Sequence, residues 1–259
     1  MMKKKVPHDK IYKIVNKLSK VLSWILIIST FISVLLIIIN NFSLDINPYT
    51  SITLSKILAF FAITYFIIEI IQSHIYHRAE LQRKNDFIDN SLSTKLADAN
   101  SQGYFTNDEI NNGIYKLGVN CFENSFFTKS ITSKMLTKQL IYTIVIWLVI
   151  WLVILSAPNG VIVELILLTL PFNVLNETHK LYRLNRNVES VFLNFKKIFS
   201  STKKLKREFL IIDNVISYEK SLSYSSVPLN SSLFNTMNDE LSIQWNEIKK
   251  NHKIKSVQH

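Results

Sequence analysis

The sequence predicts an all-α integral membrane protein: four transmembrane helices in two hairpins plus a cytoplasmic helical bundle, with both termini cytoplasmic. Three observations predict this fold class: four long apolar runs, a one-sided distribution of basic residues, and helical periodicity in the polar segments. The predicted order is a basic cytoplasmic arm (1–20), a first transmembrane hairpin (21–76), a cytoplasmic helical loop (77–137), a second transmembrane hairpin (138–177) and a cytoplasmic helical tail (178–259).

The four apolar runs differ in how well each fits a spanning helix, which needs about 20 apolar residues and at least about 17. The first, Val21 to Ile39, has 19 residues without a charge, and the third, Leu140 to Ala157, has 18. The second, Ile57 to Ile71, has 15 residues with one glutamate, and its flanks extend it to spanning length. The fourth, Val161 to Leu175, has 15 residues with one glutamate, so a full span and a tilted or re-entrant half-span both stay open.

The basic residues lie almost entirely on one side of this predicted topology. With the N-terminus in the cytoplasm, the arm holds seven lysines, the central loop counted over 76–138 holds eight Lys or Arg, and the tail holds fourteen. That places 29 of the 30 basic residues on the cytoplasmic side, and Lys56 is the exception. Because cytoplasmic loops of membrane proteins are enriched in Lys and Arg, the distribution predicts a multi-pass protein of the bacterial inner (cytoplasmic) membrane with both termini inside.

Composition and motifs argue against several other classes. The net charge of +11 follows from the topology and from the attraction of basic segments to anionic headgroups, so nucleic acid is an unlikely partner. The one cysteine, Cys121, excludes an internal disulfide and a Cys-based zinc site. His74 and His77 are three apart, but histidines at a membrane edge are more often solvated or hydrogen-bonded than metal-bound, so we expect no metal and no cofactor. The chain has no Walker loop, G-x-S-x-G or H-E-x-x-H sequence, and we expect no enzyme.

The segments between the apolar runs indicate where a signal would act. The external loops, 41–51 and 156–160, are too short for a receptor domain, so we expect sensing from inside. No Gly or Pro occurs after the second run until Gly103, which predicts that its helix continues beyond the membrane. The tail begins with an amphipathic helix, and further helices are predicted near 203–220 and 233–250. The apolar face of the first tail helix consists of Leu181, Leu184, Val188, Val191, Phe192, Phe195 and Phe199.

The second apolar run carries a polar stripe. Glu69, Gln72, Ser73 and Tyr76 fall at i, i+3, i+4 and i+7, which is one face of a helix. An ionised carboxylate within a membrane costs about 2.5–3.5 kcal/mol at mid-bilayer unless it meets water or a partner. The stripe is therefore predicted to line a pore or to make polar contacts between helices. Placement of Glu69 at the inner membrane edge is the alternative.

Two residues of the fourth run are secondary candidates. Glu164 is a second intramembrane acid, but it lies about one turn from the external end and could extend outward to the interface. Pro171 would bend its helix and could serve as a hinge. Kinked spans without a gating role are also common.

Two loose motifs and the four-span architecture resemble a known family. The helix after the second run, "AELQRKNDFID", resembles an A-x-x-I-Q-E-x-F-D-like run with altered spacing. The C-terminal part resembles L-Q-D-x-I followed by V-P and an aromatic residue, with Ile212 in place of the glutamine and no Ser-Pro. On these grounds the chain resembles the SMODS-associating four-TM effectors of bacterial antiphage defence systems. The matching residues are Ala79, Gln82, Phe87, Asp89, Asp213, Val227, Pro228 and Phe234.

The resemblance implies an effector that opens pores in, or disrupts, the inner membrane once infection is signalled, and it implies no active site. Four spans with few charges enclose little, so a homo-oligomer in the lipid bilayer is expected. The expected cue is a cyclic nucleotide or a defence-system sensor protein. Arg83, Lys84, Arg183 and Arg186 are candidate contacts for an anionic ligand, on charge alone. The alternative functions are a non-conducting membrane anchor or signal transducer that recruits a cytoplasmic partner, and a small transporter.

Overall fold

A computed structural model describes residues 6–41, 47–101, 107–156, 169–201 and 204–254 of the chain. Within these residues every regular element is a helix and no strand occurs, which confirms the all-α prediction. The six helices are α1 (Asp9–Asn41), α2 (Pro48–Leu92), α3 (Ile114–Ser156), α4 (Thr169–Ser201), α5 (Lys204–Ser225) and α6 (Ser231–Asn251).

Helix α2 shows how local sequence sets the helix ends. Pro48 occupies its first position, where the missing N–H costs no hydrogen bond, and the Asn47 side chain accepts a hydrogen bond from the N–H of Tyr49 at 3.1 Å. At the other end Ser93 adopts a left-handed φ of 58° and donates its N–H to the Asp89 carbonyl. As predicted, the helix continues beyond the second apolar run, but it ends at Leu92, before the end of the stretch that lacks Gly and Pro.

The Asp89 side chain gives the physical reason for that early end. Its carboxylate accepts hydrogen bonds from the N–H groups of Leu96 and Ala97, each at 2.8 Å, and from the Thr94 hydroxyl at 2.6 Å. These bonds hold the chain in a turn that a continuing helix could not make. Burial alone would raise the pKa of Asp89, but the three donors lower it below its ordinary value.

The chain forms two compact units, and we call the first the body unit. It comprises Met1–Asn16, Ile75–Met135 and Leu181–His259. All seven residues predicted on the apolar face of the first tail helix are buried here, along α4, which confirms that prediction. The Phe122 ring of α3 packs against Trp245 of α6, edge to face, with ring centroids 5.2 Å apart. It also contacts three phenylalanines of α4: Phe192, Phe195 and Phe199.

The second unit, which we call the apolar unit, comprises Lys17–His74 and Leu136–Lys180. Its core is built from α1, α2, α3 and α4, and consists of Leu22, Ile25, Leu26, Ile37, Tyr65, Ile146 and Val174. Many large apolar side chains nevertheless point away from this core. The exposed ones include Trp24, Phe31, Phe60, Ile63, Ile67, Ile70, Ile141, Ile144, Leu148, Trp151, Leu152 and Leu155.

Two helices of the described chain are long and apolar enough to cross a membrane. These segments are Asp9–Ile39 in α1 and Tyr49–Leu92 in α2, with mean hydropathies of 2.8 and 2.0 in their most apolar windows. The third apolar run lies in α3 as far as Ser156. The fourth run falls outside the described residues over 161–168, so the four-span arrangement stays a prediction.

Candidate functional site

The polar stripe of α2 begins in the apolar unit with Glu69. Its Oε1 lies 3.4 Å from Nζ of Lys180 on α4, and the same ammonium lies 2.9 Å from Oε1 of Glu177. The side chains of Glu69 and Lys180 are each 32% exposed, so this ion pair is partly shielded from solvent. The Glu69 carboxylate, which lies in an otherwise apolar stretch of α2, thus has a cationic partner from another helix.

Gln72 and Ser73 continue the stripe within the same unit. The Gln72 side-chain amide donates to the Ser19 hydroxyl of α1 at 2.6 Å, and Ser73 is half-buried. The neighbouring Ile70 and Ile71 are exposed. The polar side of α2 is therefore directed toward other helices, and whether it lines a pore stays a prediction.

Tyr76, the last residue of the stripe, belongs to the body unit. It is fully buried, and its hydroxyl donates to the Leu222 carbonyl of α5 at 3.3 Å. Its ring packs edge to face with Tyr12, the centroids 6.4 Å apart.

Next to these aromatic rings lies a buried charge cluster centred on Arg83. Its Nε contacts Glu80 Oε2 at 2.9 Å, one turn earlier on α2, and its Nη2 contacts Glu219 Oε2 on α5 at 2.6 Å. The Tyr12 hydroxyl donates to the other oxygen of Glu80, which ties α1 into the same group. Burial alone would lower the pKa of Arg83, but the two carboxylates raise it well above its ordinary value.

The four basic residues predicted to contact an anionic ligand lie in different environments. Arg83 already has two carboxylate partners, so a ligand anion would compete with Glu80 and Glu219 there. Lys84 is half-buried, and Arg183 and Arg186 are exposed on α4. Ligand contact at these positions stays a prediction.

The remaining predicted positions can be described only in part. Glu164 lies outside the described residues, and Pro171 lies in the first turn of α4 with its side chain outside them. His74, His77 and His179 are exposed. Among the described residues no group of three or more His, Cys, Asp or Glu side chains could hold a metal ion. Cys121 is buried, and burial raises the pKa of its thiol well above the ordinary value.

The sequence pattern missed the buried polar residues that organise the body unit. Asp86 and Asp89 are buried residues of α2, and their carboxylates accept hydrogen bonds from the chain after it, at Ser101 and at Leu96. The sequence did contain one signal for their burial: Asp86 and Asp89 are three residues apart in a predicted helix, next to the apolar Phe87, which is itself buried. His8, Tyr12 and Glu219 left no such local signal, because their partners lie far away in sequence.

No protein-family model matches the chain, and neither does any curated protein or any solved structure. The family resemblance of the two loose motifs therefore stays a prediction.

Proposed function

We propose that the chain is a four-span protein of the bacterial inner membrane, with both termini cytoplasmic, that acts as an antiphage effector. An intracellular signal acting on the cytoplasmic region would open a homo-oligomeric pore and permeabilise the membrane. One observation carries this proposal: in the apolar unit, many large hydrophobic side chains face outward, while a set of polar side chains is partly or fully buried among the helices. These polar residues are Ser29, Ser33, Glu69, Gln72, Thr143 and Thr178.

The exposed surface of the apolar unit is too apolar to be favourable in water. Phe31 and Ile70 are each 70% exposed, and many other large apolar residues of α1, α2 and α3 are also exposed. Soluble proteins rarely expose a contiguous apolar patch above a few hundred Å². Since exposed apolar area costs about 25 cal/mol per Å² in water, lipid is the surrounding that removes this cost.

The inward groups are those expected of helices packed in a bilayer. Thr143 of α3 and Thr178 of α4 are hydrogen-bonded through their hydroxyls at 2.8 Å, and Ser29 and Ser33 of α1 are fully buried. Hydroxyl contacts and small residues commonly join membrane helices. The Glu69–Lys180 pair reduces the cost of placing a carboxylate in that setting. Because these pairs close one protomer on itself, the conducting path is assigned to an oligomer.

A route for the signal follows from helix continuity. α2 supplies Glu69 to the apolar unit and Arg83 to the body unit without a break in the helix. A cyclic nucleotide or sensor protein that shifted α2 in the body unit would also act on the polar stripe. Arg183, Arg186 and Lys84 are the proposed first contacts for an anionic cue.

A non-conducting anchor that recruits a cytoplasmic partner is the second candidate, and the Glu69–Lys180 pair favours it. Because Lys180 on a neighbouring helix already neutralises Glu69, no pore is needed to explain a carboxylate at this position.

A vesicle experiment separates the two functions. Purified full-length protein is reconstituted into phosphatidylethanolamine–phosphatidylglycerol vesicles loaded with a small fluorescent dye, with and without a panel of cyclic nucleotides. The pore proposal expects dye release that depends on protein and rises with one nucleotide. Protein that co-floats with the vesicles but releases no dye under any of these conditions overturns the pore and leaves the anchor.

Topology is tested separately with single cysteines and a membrane-impermeant maleimide on spheroplasts. Because Cys121 is buried, we expect it to give little background labelling. We expect Ser43→Cys to be labelled, and Lys10→Cys and Lys250→Cys to be labelled only after lysis. Labelling of Lys250→Cys in intact spheroplasts would contradict the proposed orientation.

A further inference from the structure

Helix α5 carries an exposed stripe that the membrane proposal does not account for, because this helix belongs to the body unit. We call it the α5 stripe, and it consists of Phe209, Asp213, Ile216, Lys220 and Tyr224. The residues follow at spacings of four, three, four and four, so they share one face of the helix. Phe209 and Tyr224 are each 75% exposed and Ile216 is 61% exposed.

The other face of α5 is packed into the body unit. Ile211, Tyr218 and Leu222 are buried there, so the helix cannot rotate to hide the stripe. One side of this folded helix thus carries three large apolar side chains separated by charged residues. Such a face is typical of a helix that packs against another helix.

Neither charge of the stripe has an oppositely charged partner within the described chain. No ion pair with Asp213 or Lys220 occurs among the described residues, and the Lys220 ammonium lies only over the Tyr224 ring, 5.9 Å from its centroid. Asp213 and Lys220 are seven positions apart, beyond the three or four that ion pairs on one helix use.

We propose that two copies of the chain pack their α5 stripes against each other, antiparallel, about a two-fold axis between Ile216 and Ser217. In that arrangement Asp213 of each copy faces Lys220 of the other, and Phe209 faces Tyr224. The contact is self-complementary, as a two-fold interface requires. Each charge of the stripe then faces an opposite charge, and all three apolar side chains are covered.

Other arrangements of the same stripe are less favourable. A parallel pair would place Asp213 against Asp213 and Lys220 against Lys220, which is repulsive. A membrane surface with anionic lipids would attract Lys220 but repel Asp213 in the middle of the face. The alternation of opposite charges thus selects a second copy as the occupant.

The size of the stripe determines where the contact operates. Stable interfaces bury about 800 Å² on each partner, more than five residues of one helix provide. We therefore place the contact between protomers that already share one membrane, where the effective concentration is high. In this respect the inference rests on the proposed membrane location.

Disulfide cross-linking in membranes from cells that express the full chain tests the contact. Two facing helices bring Cα atoms near the axis within the distance that a disulfide needs. Ile216→Cys should form a dimer with itself under mild oxidation. Asp213→Cys and Lys220→Cys, on copies with different tags, should cross-link with each other more than either does with itself. Ile243→Cys on α6 is the matched control, because Ile243 is 64% exposed but lies outside the stripe.

Charge reversal then tests the pairing. In the Ile216→Cys background, Asp213→Lys alone and Lys220→Asp alone should each lower dimer formation by about fivefold or more. The double reversal should restore it, since each charge again faces its opposite. Both residues are exposed, so the fold should tolerate the changes, and an unchanged protease digestion pattern checks this.

Several outcomes overturn the inference. One is Ile216→Cys cross-linking no stronger than that of Ile243→Cys, and another is a double reversal that stays as weak as the singles. A bimane label on Ile216→Cys that is quenched by nitroxide lipids would place this face on the bilayer instead.

Vesicle leakage is a separate readout. Cross-links without leakage keep the contact and reject the pore, whereas leakage without cross-links keeps the pore and rejects the contact.

Discussion

Arg83 is a nearly buried cation whose charge is neutralised by neighbouring carboxylates. Its side chain is only 14% exposed, and one guanidinium serves two carboxylates, Glu80 and Glu219. The second oxygen of Glu219 is buried and has no hydrogen-bond partner among the described residues. The cluster therefore depends on the arginine for its neutralisation, and it joins α1, α2 and α5.

Replacing Arg83 should destabilise the body unit strongly. Arg83→Met leaves two buried carboxylates without their cation, and breaking a buried ion pair from one side costs about 3–5 kcal/mol. Pulse proteolysis in urea on detergent-solubilised protein measures the change. Arg186→Met is the matched control, because Arg186 is exposed in its pair with Glu189, and it should change stability by less than about 0.5 kcal/mol. Equal effects of the two variants would contradict the role given to Arg83.

We expect His8 to make the body unit sensitive to acid. Its buried ring lies 3.9 Å from Asp86, and burial lowers the pKa of the imidazole although Asp86, Glu80 and Asp9 act in the opposite direction and Arg83 adds to the lowering. An unfolded histidine has a pKa of about 6.5. Below that pH the unfolded chain binds more protons than the folded one, so stability falls as the pH falls.

A melting series checks the acid sensitivity. Between pH 7 and pH 5 the wild-type melting temperature should fall more steeply than that of His8→Gln, by a few degrees, since about 1 kcal/mol corresponds to roughly 2–4 °C in a protein of this size. His77→Gln, which removes an exposed histidine of the same unit, is the control. Parallel curves for wild type and His8→Gln would remove His8 from the acid response.

Among the helices, α3 and α5 approach each other closely at Gly118. A Cβ added to Gly118 of α3 would meet three side-chain atoms of Ile211 on α5, at 2.8–2.9 Å. Ile211 is itself buried, so its whole branched side chain would have to move. The glycine therefore serves packing, although a helix interior would favour alanine by about 1 kcal/mol.

Gly118→Ala should consequently destabilise the protein by about 1–3 kcal/mol, the cost of overpacking. Ile211→Ala leaves a cavity, and the methyl group that Gly118→Ala adds would fill part of it. We expect the double variant to be more stable than the sum of the two single effects, with a coupling of at least about 1 kcal/mol in a double-mutant cycle. Additive effects would show that the two helices do not meet at this pair.

The helices also show what periodicity predicts and what it does not. The buried face of α4 was predictable because one side of the helix is apolar over five turns, and each of its seven residues is buried. The second tail helix was predicted to end near residue 220, whereas α5 extends to Ser225 and the loop after it is shorter than predicted. Helix propensity does not determine where a helix ends when a side chain, such as that of Asp89, accepts hydrogen bonds from the backbone that follows the helix.

For the whole molecule, the sequence predicts composition-level features better than contacts. Long apolar runs identified α1 and α2 as helices able to cross a membrane. The polar contacts were not predictable, because Tyr12 and its hydrogen-bond acceptor Glu80 are 68 positions apart, and Arg83 and its ion-pair partner Glu219 are 136 apart. Such pairs form only after the helices pack, and no local spacing signals them. The Glu69–Lys180 pair, 111 positions apart, is of the same kind.

That pair leads to the prediction that most directly concerns the proposed pore. Glu69→Gln keeps the size of the side chain but removes its charge, and Lys180 keeps Glu177 as a partner at 2.9 Å. If Glu69 lines the conducting path, losing its negative charge should lower cation flux by at least about twofold and shift selectivity toward anions. Potassium and chloride fluxes into vesicles measure both effects. Glu177→Gln is the matched control, because it removes the other carboxylate on Lys180 from a residue outside the stripe. Wild-type flux and selectivity in Glu69→Gln would remove Glu69 from the mechanism. A change shared equally by both variants would show that Lys180, not the stripe, is the group that matters.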